Sequence, residues 1–429
     1  MQPVDIPSRI PVASGDLSTA MIRPLGYLVL GCRLTFDERL DAAVLSRAVR
    51  LLLDAEPVLG CWFKEGFSGA EWERCANLDD SLYFSVVDTR DIEEDAAAFH
   101  GEAFDEHGPR LAVRLLRTEA HDEVCLRLDH IVADGWATKE LAYTLADTYS
   151  RLLLDRAYSI PPNLTPRPSG GDLWNAMSDD QREAANRGSV RPAANKWKMP
   201  LPAGTGSDLS VRRLTLGPEQ FAAVKDYGDA RGATVTEMLL TALMRSLARV
   251  YPPDTGVPFT PSITSNARQY TDEASIMRMC VLAGSSTPVI VHQRDDDFAA
   301  ALGRVTEGVR PCRESLWGAK FLAKPVRFYR LIQAIMTLLL RSMYRSGTAA
   351  PIVMNIGVMD EARLAFGDAL PIAAHMTGSI PKGPGFGATI STYRDTLTVW
   401  MGNYEHHVDP ALVERVLQGM GEELSSVRA

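Results

Sequence analysis

The feature that most narrows the fold of this chain is a change of hydrophobic period between residues 111 and 153. Leu111-Ala-Val-Arg-Leu-Leu-Arg117 and Glu123-Val-Cys-Leu-Arg-Leu-Asp129 are strand-like runs separated by Thr118 to Asp122, a polar connection of hairpin length. In the second run Val124, Leu126 and Leu128 share one face of the pleat. The same period of two puts His130 next on that face and turns Asp129 away with Glu123 and Arg127. From Trp136 to about Leu153 the spacing is helical, so His130-Ile-Val-Ala-Asp134-Gly135 sits where a strand gives way to a helix.

The remaining pattern repeats this mixture. The chain of 429 residues is about three times the commonest single-domain length, which predicts two to three lobes. Residues 40 to 55 place Leu40, Val44, Ala48 and Leu51 on one helical face, and Glu56-Pro57 ends that helix. Leu82 to Val87 reads as a strand and about Asp91 to Ala103 as a charged helix. Between about Ser159 and Gly206 periodicity dissolves into prolines and glycines, relieved by a short polar stretch around Asp179 to Asn186. So long a segment reads as a strap packed between lobes, and it divides the chain into 1–158, a linker at 159–206, and 207–429.

In the second half, helices are predicted from Pro218 to about Tyr227, Val235 to Val250, about Asp297 to Val309, and 324 to 346. Strands are predicted at Phe259 to Thr264 and Val289 to His292. Phe386 to Tyr393 and Thr396 to Tyr404 form a hairpin around Arg394-Asp395, and Asp409-Pro410 starts a last helix, Ala411 to about Leu424. Strands and helices in both halves define an α/β (α+β) class.

Composition removes several function classes. Hydrophobic residues at 46% and charged residues at 23% exclude a wholly disordered, collagen-like or multi-span membrane chain. A net charge of −9 argues against a dedicated nucleic-acid binder, which needs a basic footprint for phosphates. Cys32, Cys61, Cys75, Cys125, Cys280 and Cys312 lack disulfide-framework or zinc spacing and read as reduced, mostly buried thiols. Asp5 and three prolines interrupt the N-terminus where a signal peptide needs an apolar run, so a cytoplasmic enzyme without a transmembrane segment is expected.

His130 is the chemically notable histidine. A side chain at a strand end is held by the sheet yet can meet a cleft, as a general base must. With an intrinsic pKa near about 6.5, an imidazole is substantially neutral at cytoplasmic pH and able to accept a proton. Asp134 is suited to holding the turn, and Gly135 lets the backbone turn into the helix. HxxxDG as a bare pattern is also met by a core histidine beside a turn-forming Asp-Gly.

The stretch from Phe104 to Tyr149, FDEHGPRLAVRLLRTEAHDEVCLRLDHIVADGWATKELAYTLADTY, resembles the HHxxxDG region of nonribosomal peptide synthetase condensation domains and their stand-alone acyltransferase relatives. Further segments follow in that family's order and carry the resemblance over most of the chain. They are Leu40 to Leu59, Gly232 to Leu240, Ile263-Thr-Ser-Asn-Ala-Arg268, Gly284-Ser-Ser-Thr-Pro288 and Pro351-Ile-Val-Met-Asn-Ile-Gly357.

The resemblance implies two chloramphenicol-acetyltransferase-like lobes, each a mixed sheet with helices, arranged as a V around a central tunnel. It also implies an acyltransferase of natural-product biosynthesis with no cofactor bound permanently. The co-substrate would be a thioester on coenzyme A or on the phosphopantetheine of an acyl- or peptidyl-carrier protein. A small amine or alcohol acceptor would attack it to give an amide or ester. On this sequence His130 matches the catalytic histidine and Gly135 the glycine whose N–H lies near the reaction centre. Asp134 matches the structural aspartate, with Arg268 its expected partner, and Asn355 matches a donor to the tetrahedral intermediate. From the residues alone, Asn355 reads equally as a strand-end amide serving neighbouring backbone.

The sequence departs from the family at Asp129, where the first motif histidine is usual, and at Met354, where serine is usual. The asparagine of the "G-f-x-N" strand and the DFGWG signature are absent. These departures keep open a non-catalytic docking module that binds a carrier protein or partner enzyme. The apolar, arginine-bearing segment 324–346 reads as a core helix or as a lipid-facing one, and suggests transfer of long acyl chains to a lipid-like alcohol. His406-His407, with Glu405 and Asp409 nearby, reads as a solvated strand end or a metal site, and no metal is expected. Lys382-Gly-Pro-Gly-Phe-Gly387 lacks the spacing of a phosphate loop.

Overall fold

In the computed structural model, which describes residues 5–66, 69–187, 196–199, 204–206, 208–254, 256–272, 279–323, 329–381, 383 and 385–427, the hairpin at 111–129 lies inside a five-stranded sheet. Leu111–Arg117 and Asp122–Asp129 pair antiparallel, Leu111 opposite Leu128 and Arg117 opposite Asp122. The order across the sheet is Ala373–Thr377, Val29–Phe36, Asp122–Asp129, Leu111–Arg117 and Phe84–Asp88, with only the last pair parallel. Val124, Leu126 and Leu128 are buried in one core with Val44, Leu45 and Leu52 of helix Ala42–Ala55 and Leu141, Leu145 and Leu152 of helix Gly135–Leu154. Asp41 starts the first of these helices by accepting the N–H groups of Ala43 and Val44 at 2.9 and 3.1 Å.

A second sheet of six strands runs Ala283–Ser286, Ser262–Asn266, Ile352–Val358, Gly387–Tyr393, Thr396–Tyr404, Leu209–Leu216. Its core is shared with helices Val235–Val250, Phe298–Glu314 and Pro410–Ser426. The C-terminal hairpin turns at Arg394 and Asp395, both at positive φ, and pairs Tyr393 with Thr396. The two halves of the chain exchange backbone. Ala373–Thr377 completes the first sheet against Val29–Phe36, and Ile380–Pro381 pairs with Gly26–Tyr27.

Three local expectations are corrected. The strand expected at Phe259 to Thr264 runs Ser262–Asn266, because Pro258 and Pro261 lack the N–H groups a ladder needs. Val289 to His292 makes only a single bridge, Ile290 to Phe259, and Val289 and Val291 stay exposed. The strap holds two helices, Gly170–Ala176 and Asp179–Arg187. Its Leu173 and Met177 are buried with Ala267, Cys280, Leu282 and Ala319. Residues 188–195 and 200–203 of the strap lie outside the described residues, as do 324–328 ahead of helix Tyr329–Ser346.

Candidate active site

The turn between strand Asp122–Asp129 and helix Gly135–Leu154 is fixed from both ends. Asp129 accepts the Ile131 N–H at 3.0 Å and pairs with buried Arg110 at 3.4 Å. The ring of Phe104 lies under both Arg110 and Arg127, so Asp129 shares its side of the pleat with Arg127 and not with His130. Asp129 is thus held by a buried arginine on the far side of the sheet from the cavity. The His130 N–H donates to the Leu28 carbonyl at 2.9 Å.

The His130 ring is locked in one tautomer. Its Nδ1 lies 2.7 Å from the Ala133 carbonyl oxygen. A carbonyl only accepts, so Nδ1 carries the proton of the neutral ring and Nε2 keeps its lone pair. His130 borders a cavity of about 280 Å³ between the two sheets, lined from one side by Gly135, Trp136 and Lys139 and from the other by Asn266, Met354 and Asn355.

Asp134 closes the seam between the sheets. Its Oδ1 caps the helix by accepting the Ala137 N–H at 3.0 Å, and its Oδ2 accepts Arg268 Nη1 and the Leu282 N–H, each at 2.7 Å. Both Asp134 and Arg268 are buried. Arg268 continues to the Cys280 carbonyl at 2.9 Å and lies over the Trp136 ring at 4.7 Å. The carboxylate thus spends its acceptor sites on structure, which leaves His130 as the proton acceptor of this motif facing the cavity. Arg167 of the strap adds a second tie. It donates to Asp16 at 2.5 Å, the Val132 carbonyl at 2.6 Å and the Met279 carbonyl at 3.0 Å.

Gly135 meets the facing strand closely. An added Cβ would stand 2.4 Å from Ile356 Cδ1 of the facing strand. Ile356 reaches inward at a break in register between Asn355 and Gly357, where Gly357 takes a φ of 80°. Asn355 shapes this bulge. Its Oδ1 accepts the Gly357 N–H and its Nδ2 donates to Thr236 Oγ1, both at 2.9 Å. The second N–H of that amide meets no acceptor among the described residues.

Lys139 was not legible as a site residue. It reads as a helix-surface lysine, yet its Nζ crosses to the carbonyls of Ile356 and Val358 at 3.1 and 2.9 Å, and burial lowers its pKa. Nor does any sequence signal mark Thr236 or Arg167. The His406 and His407 rings meet with centroids 4.0 Å apart and planes tilted by 48°, and the described residues contain no cluster of three metal-ligating side chains. Lys382 and Pro384 of the glycine-rich segment lie outside the described residues.

No family model matches the sequence, and no curated protein matches it significantly. Solved structures do match over nearly the whole chain. The first condensation domain of the CDA synthetase superposes with a TM-score of 0.68 at 18% identity, covering 98% of this chain and 97% of that one. A trichothecene 15-O-acetyltransferase from Fusarium sporotrichioides gives 0.74 at 13% identity, covering 97% and 94%. Polyketide synthase associated protein 5 from Mycobacterium tuberculosis gives 0.62 at 15% identity, covering 97% and 99%. The chain therefore has the mixed α/β condensation-domain fold, in which two chloramphenicol-acetyltransferase-like lobes face each other, and His130 stands at the cavity between them.

Proposed function

We propose that the protein is an acyltransferase that joins an acyl thioester to an amine or alcohol acceptor. The observation that carries this reading is the His130 ring, pinned through Nδ1–H to Ala133 with its Nε2 lone pair available at the cavity. In the proposed step Nε2 takes the proton of the acceptor N–H or O–H as that atom attacks the thioester carbonyl. The new C–N or C–O bond forms as the carbonyl becomes an oxyanion. The oxyanion then re-forms the carbonyl, the C–S bond breaks, and the thiolate leaves with the proton held by His130.

Gly135 is the first residue of helix Gly135–Leu154, whose leading N–H groups have no partner within the helix. Asp134 takes the Ala137 N–H, so the donors assigned to the oxyanion are the Gly135 and Trp136 N–H groups with the second N–H of Asn355, and one such donor contributes about 3 to 4 kcal/mol. The thioester is borne by coenzyme A or by a carrier protein's phosphopantetheine, and the reaction serves natural-product assembly in the cytoplasm.

The test is a panel of acyl-coenzyme A and acyl-carrier donors mixed with pooled amines and alcohols, scored by mass spectrometry for free thiol and acylated product. Product from at least one pair supports the reading, and no product from any pair refutes it. A second reading, a non-catalytic docking module, is favoured by the commitment of Asn355 to Thr236 and Gly357. It requires carrier-protein binding without turnover.

A further inference from the structure

Helix Tyr329–Ser346 is apolar on the side it turns to solvent. One side rests on helix Ser14–Ile22, where Gln333 donates to the Ala20 carbonyl at 2.9 Å, and Tyr344 lies against Gly383. The opposite side carries Leu331, Ile335, Leu338 and Leu339, which are 62%, 48%, 70% and 55% exposed. At 3.6 residues per turn these four fall within a stripe about 100° wide. A surface helix of a globular protein shows the reverse, with its polar face outward.

The charged side chains of the helix itself are all of one sign. Arg330, Arg341 and Arg345 are exposed along one edge of the stripe. Arg341 and Arg345 enter no ion pair among the described residues, and Arg330 reaches Glu65 at 3.6 Å. From Ser315 to Met359 the sequence has six cations and no Asp or Glu, in a chain whose net charge is −9. Side chains this exposed form a ridge, and an aliphatic ridge edged by arginines matches the two parts of an anionic membrane surface, acyl region and headgroups.

We propose that helix Tyr329–Ser346 seats the protein on the surface of an anionic lipid bilayer, with Leu331, Ile335, Leu338 and Leu339 inserted and Arg330, Arg341 and Arg345 against phosphate headgroups. The helix lies on the membrane, since no described helix is long and apolar enough to cross one. Residues 347–351 connect it to strand Ile352–Val358, whose Met354 and Asn355 line the cavity. This inference goes beyond the acyltransferase reading and stands without it.

The test is co-sedimentation of the full chain with vesicles of phosphatidylcholine alone or of phosphatidylcholine and phosphatidylglycerol in equal parts. The expected result is binding to the anionic vesicles that weakens as salt rises. Arg341→Glu/Arg345→Glu and Ile335→Ser/Leu338→Ser should each lower the partition at least about tenfold, with unchanged circular dichroism and melting temperature. The six native cysteines are buried, so Leu338→Cys can be labelled with an environment-sensitive dye in the folded protein, and its emission should shift to the blue on anionic vesicles. Three results would overturn the proposal: no binding to either vesicle, binding indifferent to both double variants, or a dye shift produced by self-association or an acidic carrier protein but not by lipid.

Discussion

Arg268→Ala should destabilise the protein by about 3 kcal/mol, because it removes the counter-charge of a carboxylate that water does not reach. In the native structure Asp134 Oδ2 accepts Arg268 at 2.7 Å, and the same guanidinium donates to the Cys280 carbonyl at 2.9 Å. After truncation Asp134 keeps the Leu282 and Ala137 N–H groups at 2.7 and 3.0 Å, while its charge remains. Breaking a buried ion pair from one side costs about 3–5 kcal/mol, and the two surviving donors place this case at the lower end.

Asp134→Asn/Arg268→Met removes both charges, so it should cost less than the sum of its single changes by at least about 1 kcal/mol. Equilibrium urea unfolding provides the assay, followed by circular dichroism and by tryptophan fluorescence, since Trp136 stacks on Arg268. If Arg268→Ala falls within about 1 kcal/mol of wild type, or if the two changes simply add, the charge-pair reasoning is refuted.

Other outcomes follow from the same geometry. Gly135→Ala should leave the fold intact and lower transfer at least about tenfold by pushing Ile356 into the cavity, and Ile356→Val, which removes the clashing Cδ1, should restore part of it; an undiminished rate in Gly135→Ala would contradict this. Lys139→Met removes the donor to the part-buried Ile356 carbonyl, the Val358 carbonyl being open to water, and should cost about 1 kcal/mol in urea unfolding, whereas a cost near zero would show that the lysine stitches nothing. Burial holds His100 neutral with a pKa of about 4, its Nε2 on the Gly378 carbonyl. The unfolded chain binds that proton first, so the stability this residue contributes is full above about pH 6.5 and falls by about 3 kcal/mol as pH drops toward 4. Burial lowers the pKa of His375 as well, which steepens the loss. Urea midpoints between pH 7.5 and 4.5 measure the slope, which His100→Asn should flatten and which a flat wild-type profile would contradict.

The parts of the fold that local pattern could carry were legible. Leu111 to Arg117 is a short, mostly apolar run between turn signals and is a strand with those same ends. Thr234 and Glu237 form the capping box that starts helix Val235–Val250 where apolar spacing begins. Pairings between distant segments were not legible. Val29–Phe36 lies in the middle of the first sheet, but Gly31 and Arg33 break its apolar run. Arg33 is tolerated there because Glu123, one strand away, pairs with it at 2.5 Å and Glu93 takes its other end at 2.7 Å. Ala373–Thr377 reads as unremarkable sequence because its partner lies in the other half of the chain. In the site, Asp134 and Gly135 announce themselves by their place after the strand, whereas Lys139 gains its contacts only when the second sheet arrives.

The central claim is that the His130 Nε2 lone pair removes the acceptor's proton. It is tested most directly by single-turnover acyl transfer with wild type and His130→Ala, using a donor and acceptor pair found active in the panel. The account predicts a transfer rate lower by about 10²–10⁴-fold in His130→Ala, with circular dichroism and melting temperature unchanged. Transfer by His130→Ala at the wild-type rate would contradict it.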